Sequence, residues 1–241
     1  MVLIKRNGLD NLHKYICFIP ARAGSKRIPK KNILDLNSKP LITHSIDFAL
    51  KVFKREEIYV SSDSKTIQEI ARKESVNIHL RPAEMARDET SMLETTIDFI
   101  KNKNISHDTN IVLLQPTSPF RSVEYFLKLK NIFEKSKTAS SAISLVRCTF
   151  FHPSKIGFIC ENSKFNLLNI DPENNIDNDK KKPYFVISGS FYIVKVENLI
   201  ANKSFIGESP VGLEESFENF CNIDTPIDFK IAEMLVAKKN I

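Results

Sequence analysis

Residues 19–32 carry the densest group of side chains in the chain that could bind phosphate. Five cations lie within ten residues, namely Arg22, Lys26, Arg27, Lys30 and Lys31. In the same stretch a glycine, Gly24, lets the backbone come close to a ligand, and Ser25 adds a hydroxyl. The combination predicts a loop that binds a polyanion such as a nucleoside triphosphate.

A basic run is often only a solvated surface, so the residues in front of this loop decide how to interpret it. The apolar segment Tyr15–Phe18 stops at Pro20, which is typical of a buried strand that ends in a loop. Open α/β sheets bind their ligands outside the carboxyl ends of such strands. The loop matches neither a Walker A motif nor a G-x-G-x-x-G turn, so these residues alone indicate either another kind of phosphate loop or a solvated surface.

Three later stretches also combine turn residues with polar side chains. Arg81 ends a short predicted strand and precedes a proline that stiffens the turn. Gln115 follows the most apolar strand, residues 111–114, and opens a Gln-Pro-Thr-Ser-Pro sequence whose prolines fix the directions of its side chains. Asn222 and Asp224 are two residues apart at the end of a predicted strand, so their side chains are expected to share one face.

Taken together, these stretches resemble the motifs of the CMP-sialic acid synthetases, or acylneuraminate cytidylyltransferases. The matching segments are residues 20–26 (PARAGSK), 28–32 (IPKKN), 81–82 (RP), 115–119 (QPTSP) and 223–229 (IDTPIDF). The resemblance extends from about Tyr15 to the last helix. It implies Mg²⁺-dependent transfer of CMP from CTP to the anomeric hydroxyl of an acidic nine-carbon 2-keto sugar of the sialic, legionaminic or pseudaminic acid type, with release of pyrophosphate.

The resemblance also implies a role for each matching residue. The residues expected to act in catalysis are Lys31, Arg22 and Asp224. Those expected to bind the nucleotide are Arg22, Ala23, Gly24, Ser25, Lys31, Asn32 and, at the cytosine, Arg81. Those expected to bind the sugar are Gln115, Thr117, Ser118, Tyr184 and Ser188. The principal ligand of the Mg²⁺ cofactor is expected to be Asp224, with Asn222 as a weaker or indirect ligand.

Two positions depart from the family pattern and leave alternatives open. Asn222 stands where the synthetases have the first aspartate of Asp-x-Asp-Thr, so one alternative is a nucleotide-binding homologue without turnover. Ser188 precedes Gly189 where typical sialic-acid enzymes have Asn-Gly, so the sugar is expected to be a bacterial relative of N-acetylneuraminate. A second alternative is transfer to another sugar acid such as Kdo. Kdo-type enzymes usually follow the basic loop with Gly-Lys-Pro, whereas this chain has Lys31-Asn32.

Predicted strands and helices alternate along the chain, which is typical of an α/β fold. We expect a single Rossmann-like nucleotidyltransferase domain with a mainly parallel central sheet and a projecting dimerisation arm. Strands are predicted at residues 15–19, 57–60, 77–80, 111–114, 142–146, 190–194 and 220–223. Helices are predicted at residues 40–53, 65–74, 91–103, 122–135, 198–201 and 226–237. The unbroken apolar run at 111–114 places that strand in the centre of the sheet, buried on both faces.

The same pattern divides the chain. Residues 1–14 are expected to be an N-terminal extension, and residues 15–241 the cytidylyltransferase domain. Within this domain, residues 147–189 have a weak pattern and include a polar run rich in Asn, Asp and Lys. By the resemblance, this segment projects from the core, contacts a second subunit to form a homodimer and helps to cover the sugar site.

Composition indicates an ordinary folded domain: the 241 residues are 42% hydrophobic and 27% charged. The formal net charge of +6 suits an anionic ligand, but the lysines are spread along the chain and no nucleic-acid motif is visible. Nucleic acid is therefore not an expected partner, and the partners that the resemblance implies are CTP and an acidic 2-keto sugar. The four cysteines are far apart, and no segment approaches the roughly 20 apolar residues of a membrane span. We therefore expect no membrane contact and a cytoplasmic location.

Overall fold

The computed structural model describes residues 15–148, 155–168 and 183–239. The predicted extension, residues 1–14, lies outside these ranges, and so does part of the predicted projecting segment. The described residues form a seven-stranded sheet with hydrophobic clusters on both faces. The predicted α/β class with a mainly parallel central sheet is confirmed.

The strands are numbered along the described part of the chain. They are β1 (Tyr15–Pro20), β2 (Asp35–Leu36), β3 (Lys39–Pro40), β4 (Ile58–Ser62), β5 (Asn77–Leu80), β6 (Asn110–Leu113), β7 (Ser141–Arg147), β8 (Gly157–Ile159), β9 (Phe165–Leu167), β10 (Phe185–Lys195) and β11 (Pro210–Glu214). Two short antiparallel pairs, β2 with β3 and β8 with β9, lie outside the main sheet.

The helices lie within two residues of their predicted bounds. They are α1 (Leu41–Val52), α2 (Lys65–Lys73), α3 (Met92–Asn102), α4 (Val123–Lys135), α5 (Val196–Asn202) and α6 (Pro226–Lys239). Hydroxyls of Ser64, Ser91 and Ser122 accept backbone hydrogen bonds in the first turns of α2, α3 and α4. Within the described ranges, none of these helices is both long enough and apolar enough to cross a bilayer.

The order of strands across the main sheet is β11, β7, β10, β6, β1, β4 and β5. The strands β6, β1, β4 and β5 pair in parallel, and so do β11 and β7. Between β6 and β7, β10 runs antiparallel to both. The chain builds outward from β1 to β5 and then returns to β6 on the other side of β1. The carboxyl ends of β1 and β6 therefore flank a topological switch point, where open α/β sheets form a binding crevice.

The apolar run at residues 111–114 is central and buried on both faces, as predicted. Ile111 and Leu113 join the cluster that contains residues of α3 and α5, whereas Val112 and Leu114 join the cluster that contains residues of α1, α2 and α4. All four side chains are at most 1% exposed. Burial of such side chains contributes about 1.5–3 kcal/mol each, which holds the end of β6 firmly in place.

The predicted strand at residues 220–223 was wrong. A 3₁₀ turn at Phe217–Asn219 leads instead into an extended segment, whose Ile223 N–H donates to the carbonyl of Thr117 over 2.8 Å. The sheet edge beside β7 is occupied by β11, which the sequence analysis did not predict. Because β11 contains a proline and a glycine, its sequence carries little strand signal.

The strand β10 begins five residues before the predicted start at Ser190. Its first residues pair with the end of β7, from Phe185 with Arg147 to Ile187 with Leu145, and the register then shifts before Tyr192. This part of the predicted segment 147–189 is therefore an extension of the sheet. The register shift coincides with Gly189, whose φ of 82° is a conformation that favours glycine.

Phe191 on β10 packs in the main hydrophobic core, and its replacement measures the contribution of this packing to stability. Its side chain is fully buried, and its ring centroid lies 5.2 Å from that of Phe48 and 5.4 Å from that of Phe126. Phe191→Ala should lower the free energy of unfolding by about 3–5 kcal/mol, because it leaves a cavity among these rings. Urea denaturation measures this loss.

The control is Ile227→Ala on α6, where the side chain is 66% exposed. This variant should change the free energy of unfolding by no more than about 0.5 kcal/mol. Equal losses in the two variants would show that Phe191 is not a determinant of the core.

Candidate active site

A cleft of about 430 Å³ opens beside the carboxyl ends of β1 and β6. Four separate parts of the chain line it: the basic loop after β1, the turn after β5, the turn after β6 and the segment before α6. The predicted site residues among its lining are Arg22, Gly24, Ser25, Lys31, Asn32, Arg81, Gln115, Thr117 and Asp224. The fold therefore brings the proposed phosphate, base, sugar and metal positions to one place.

Asn32 holds the basic loop in shape. It lies in a 3₁₀ turn, Lys31–Ile33, and is 8% exposed. Its side-chain amide donates to the carbonyl of Arg22 over 2.9 Å, which joins the two ends of the loop. Next to Arg22, the backbone N–H of Ala23 donates to Asp63 Oδ1 over 2.8 Å. The Ala23 side chain is exposed, so its contribution to the loop is through the backbone.

Arg22 and Lys26 share the carboxylate of Asp88. Arg22 Nη2 lies 2.7 Å from one carboxylate oxygen, and Lys26 Nζ lies 2.9 Å from the other. Arg22 Nη1 also donates to the carbonyl of Arg87 over 2.8 Å. The hydrogen bond from Lys26 lowers the pKa of Asp88 below its usual value. Asp88 is therefore an ionised counter-ion for two of the cations that face the cleft.

Lys31 joins the basic loop to the segment before α6. Its ammonium group donates to the carbonyl of Ile223 over 2.7 Å and to Asp224 Oδ1 over 3.2 Å, and its side chain is only 14% exposed. Burial lowers the pKa of Lys31, while the negative charge of Asp224 acts in the opposite direction. Arg27 Nη2 lies 3.5 Å from the same carboxylate oxygen. Two cations thus surround one carboxylate at this end of the cleft.

The side chains of Asn222 and Asp224 meet as predicted, although not on a strand. The amide Nδ2 of Asn222 lies 3.2 Å from Asp224 Oδ2, but Asn222 is exposed. The carboxylate of Asp228 accepts hydrogen bonds from the N–H and the hydroxyl of Thr225 over 2.7 and 2.9 Å, so it caps the start of α6.

The side chains at this end of the cleft could hold a metal ion only together with ligands from water or substrate. Among the residues that the structure describes, no cluster of three or more His, Cys, Asp or Glu side chains could hold a metal ion alone. Asp224 places one carboxylate in the wall of the cleft. This arrangement fits Mg²⁺, which commonly binds one or two carboxylates and completes its shell with water and substrate phosphate oxygens.

Arg81 is a buried cation in the wall of the cleft, with 8% of its surface exposed. Its Nε donates to the hydroxyl of Ser61 over 3.3 Å, and its Nη2 donates to the carbonyl of the same residue over 3.4 Å. Burial lowers the pKa of Arg81 to about 10, so the guanidinium is charged at neutral pH. It is therefore a fixed donor for acceptor atoms of a ligand.

Arg121 holds the turn that contains Gln115 and was not predicted from the sequence. Its guanidinium donates to the carbonyl of Gln115 over 2.7 Å, to the carbonyl of Ser190 over 2.8 Å and to the hydroxyl of Ser45 over 3.0 Å. These three bonds tie the end of β6 to β10 and α1. Burial lowers the pKa of Arg121 to about 10, which leaves it charged at neutral pH.

Gly189 packs directly against the turn after β6. A Cβ atom at this position would lie 3.3 Å from both Gln115 Oε1 and Ser118 Oγ. Ser118 is 1% exposed, and its hydroxyl has no hydrogen-bond partner within the described residues. The missing side chain at Gly189 therefore allows β10 to approach two of the predicted sugar-binding residues.

The structure does not bring Ser118, Ser188 and Tyr184 into the lining of the cleft. The Ser188 hydroxyl donates to the hydroxyl of Ser144 over 2.7 Å, and its side chain is 1% exposed. The carbonyl of Tyr184 accepts the N–H of Cys148 over 2.9 Å. Contacts of these three side chains with a sugar stay predictions.

Sequence reasoning missed the acidic partners and the internal arginine. Asp63 and Asp88 bind the basic loop, Arg121 holds Gln115, and Glu215 accepts a hydrogen bond from Ser190. Only Asp63 carried a usable signal, since it follows a predicted strand whose carboxyl end points to the same sheet edge. The others become recognisable only through their partners in space.

Comparison with known proteins shows which family the chain resembles over most of its length. A protein-family model described as "Cytidylyltransferase" matches residues 16–239. The CMP-N,N'-diacetyllegionaminic acid synthase of Legionella pneumophila is 35% identical over 232 residues, which cover 92% of this chain and 96% of that protein. The N-acylneuraminate cytidylyltransferase of Streptococcus agalactiae serotype V is 28% identical over 218 residues, which cover 90% of this chain but only 52% of that longer protein.

A solved structure supports the fold separately. It is the structure of a CMP:2-keto-3-deoxy-manno-octonic acid synthetase complexed with CTP. The superposition has a TM-score of 0.70 and covers 94% of this chain and 99% of the synthetase chain. The two sequences are 19% identical, so this similarity shows a shared fold alone.

Glu215 makes the stability of the fold depend on pH. Its side chain is 5% exposed, and burial raises its pKa, against the opposing effects of serine hydroxyls and the charge of Arg121. Between the usual value of 4.5 and the raised native value, the folded protein binds more protons than the unfolded chain. Stability from this group therefore falls as pH rises through that window.

Glu215→Gln removes this titration while it keeps an acceptor for Ser190. The free energy of unfolding of the wild type, relative to that of the variant, should fall as pH rises above about 4.5 and then reach a plateau. Urea denaturation of both proteins at a series of pH values measures the difference. A constant or rising difference would contradict the assignment.

Proposed function

Because the chain belongs to the cytidylyltransferase family, we propose that it transfers CMP from CTP to the anomeric hydroxyl of an acidic nine-carbon 2-keto sugar. The observation that carries the proposal is the convergence of Lys31, Arg22, Asp224, Arg81 and Gln115 on one cleft. The sugar hydroxyl attacks the α-phosphorus of CTP, the bond to the β-phosphate oxygen breaks, and pyrophosphate leaves. The hydroxyl proton is released in the same reaction.

The cations have separate tasks in this reaction. Arg22 and the backbone at Gly24 bind the triphosphate. The negative charge of the triphosphate then pairs with Arg22 and Lys26, which are paired with Asp88 in the absence of a ligand. Lys31 stabilises the charge that develops at the α-phosphate. Its low exposure strengthens this interaction, because charges attract more strongly away from water.

We propose Mg²⁺ as the cofactor, held by Asp224 and by phosphate oxygens of CTP. When bound there, Mg²⁺ neutralises phosphate charge and favours departure of pyrophosphate. Asn222 is a weaker or indirect ligand. Its side chain is neutral and exposed, lies outside the lining of the cleft and turns its amide Nδ2 toward Asp224 Oδ2.

The relatives support a nine-carbon acid as the substrate. The two curated relatives are named for diacetyllegionaminic acid and for N-acylneuraminate, and the former shares more identity with this chain. The Lys31-Asn32 sequence also favours this class over the eight-carbon Kdo. The neutral Asn222 keeps a nucleotide-binding protein without turnover as the second candidate.

A pyrophosphate-release assay tests the function. The purified chain is incubated with CTP, Mg²⁺ and, one at a time, legionaminic, pseudaminic, N-acetylneuraminic and Kdo acids. Release should occur with a nine-carbon acid and not with Kdo. Release with Kdo alone would show that the substrate is an eight-carbon sugar acid and not the proposed nine-carbon acid. CTP binding without release across the panel would instead support the second candidate.

The metal assignment is tested by Asp224→Asn. Loss of this carboxylate should lower Mg²⁺-dependent turnover by about 10²-fold or more, as expected when a group that stabilises transition-state charge is removed. The matched control is Asp35→Asn at the exposed first residue of β2, which should retain wild-type turnover. Equal turnover of the wild type and Asp224→Asn would show that Asp224 takes no part in the reaction.

We also propose a homodimer that forms through the projecting segment. The pair β8 and β9 exposes Phe158, Ile159, Phe165 and Leu167, each by more than half of its surface. The start of β10 exposes further apolar side chains at Phe185, Val186 and Ile187. Exposed apolar side chains in such number are typical of an association surface, and the same surface on a second copy can cover them around a two-fold axis.

The homodimer is tested by Phe158→Glu. Light scattering with size exclusion should give a dimer for the wild type and a monomer for this variant, because burying a carboxylate in an apolar interface is unfavourable. The control is Met234→Glu, on the exposed face of α6, which should remain dimeric. A wild-type monomer would contradict the proposal. A cytoplasmic location and the lack of a nucleic-acid partner stay predictions of the sequence.

A further inference from the structure

A row of polar groups lies behind Arg81, on the side away from the cleft. The Ser61 hydroxyl lies 3.3 Å from Arg81 Nε and 3.0 Å from His79 Nδ1. On the other side of the imidazole ring, His79 Nε2 lies 3.2 Å from Asp98 Oδ2. Ser61 and His79 are fully buried, and the Asp98 side chain is 25% exposed. Neither His79 nor Asp98 lines the cleft.

The sheet register accounts for this row. Ser61 on β4 is directly paired with His79 on β5, so their side chains lie next to each other on one face. Asp98 lies on α3, which packs against that face, three residues after Thr95 in the wall of the cleft. His79 also contacts the ring of Phe99 edge-on at 5.5 Å between centroids.

The chemistry of the groups orders the hydrogens along the row. A guanidinium can only donate, so the Ser61 oxygen accepts from Arg81 and its own hydrogen points to His79 Nδ1. Burial lowers the pKa of His79, which favours the neutral ring, and Nδ1 as an acceptor leaves the ring proton on Nε2. His79 Nε2 lies 3.2 Å from Asp98 Oδ2, but this contact is not a hydrogen bond. The hydrogen-bonded part of the row therefore runs from Arg81 through Ser61 to His79, and the Asp98 carboxylate lies next to its end.

We propose that His79, with Ser61 and Asp98, is a positioning residue that fixes Arg81 and thereby sets the preference for cytosine over uracil. Both hydrogen bonds of the Arg81 side chain within the described residues go to Ser61. Without His79 the Ser61 hydroxyl is free to rotate, so its lone pairs no longer face Nε in one fixed orientation. Cytosine presents acceptors at O2 and N3, whereas uracil has an N–H at N3, so a fixed donor discriminates between them. The inference rests on the proposed use of CTP.

Simple core packing is the competing explanation for a buried histidine. Under that explanation His79 contributes to stability alone, and a folded variant should bind nucleotides as the wild type does. A positioning role predicts a change in nucleotide preference even where the fold is intact. The experiment therefore measures stability and nucleotide preference on the same proteins.

The variants remove the row one link at a time. His79→Leu removes both ring nitrogens, Ser61→Ala removes the hydroxyl, and His79→Asn retains a short acceptor near the position of Nδ1. The histidine control is His44→Leu, because the His44 ring contacts the carbonyl of Leu36 over 2.8 Å and does not line the cleft. For each protein, KM and kcat are measured for CTP and UTP, and binding of both nucleotides is measured by calorimetry.

His79→Leu should raise KM for CTP roughly three- to tenfold, the range expected for one lost hydrogen bond, and lower the preference for CTP over UTP by a similar factor. The kcat at saturating CTP should stay within about twofold of the wild type. His79→Asn should recover part of the preference, and His44→Leu should retain all of it. Adding His79→Leu to Ser61→Ala should cause little further loss, because both changes break the same row.

An unchanged CTP preference in folded His79→Leu, with wild-type KM, would overturn the positioning role while the proposed function stands. If His79→Leu does not fold, Ser61→Ala and His79→Asn decide in its place, and wild-type preference in both overturns the inference. If the wild type binds CTP in preference to UTP but releases no pyrophosphate, the proposed function fails, and the calorimetric preference of the variants still decides the inference. A wild type that does not distinguish the two nucleotides overturns the inference directly.

Discussion

Burial of β1 and β6 between two hydrophobic layers is the constraint on which the site depends. β1 pairs in parallel with β6 on one side and β4 on the other, and β4 pairs with β5. The carboxyl ends of these strands therefore meet at one edge of the sheet. The chain must leave that edge through loops, because the strands themselves are enclosed on both faces. The polar residues that follow the strands consequently surround a single cleft, although they are far apart in the sequence.

Two carboxylates pair with four of the cations in this cleft before any ligand binds. Asp88 accompanies Arg22 and Lys26, and Asp224 accompanies Lys31 and Arg27. A partly buried cation without a partner would be costly, so these carboxylates keep the basic loop compatible with a folded protein. A phosphate chain can take over the role of the exposed Asp88, whereas Lys31 is also held by the backbone carbonyl of Ile223. The less exposed cation is thus the more rigidly placed one.

Groups outside the cleft determine the positions of those inside it. Asn32 closes the basic loop through the carbonyl of Arg22, and Arg121 holds the carbonyl of Gln115. Ser61 accepts from Arg81 and is itself linked to His79. Each support uses hydrogen bonds to buried groups, and these are hard to replace with water once the core is packed. Side chains held in this way are preorganised before a ligand binds, which is favourable for selective binding.

The sequence by itself determined the α/β class, most helix and strand positions, the central place of residues 111–114 and the family, because these depend on local apolar patterns and on short motifs. It also identified the cleft residues in the basic loop and at Arg81, Gln115 and Asp224, since each follows a predicted strand or carries a family motif. Only the tertiary structure decided that residues 220–223 are not a strand, that β11 occupies the sheet edge, and that Ser188 bonds to Ser144. It alone revealed the contacts of Asp88, Arg121 and His79. Their partners are distant in sequence, and a single charged or polar residue carries no pattern until folding places its partner beside it.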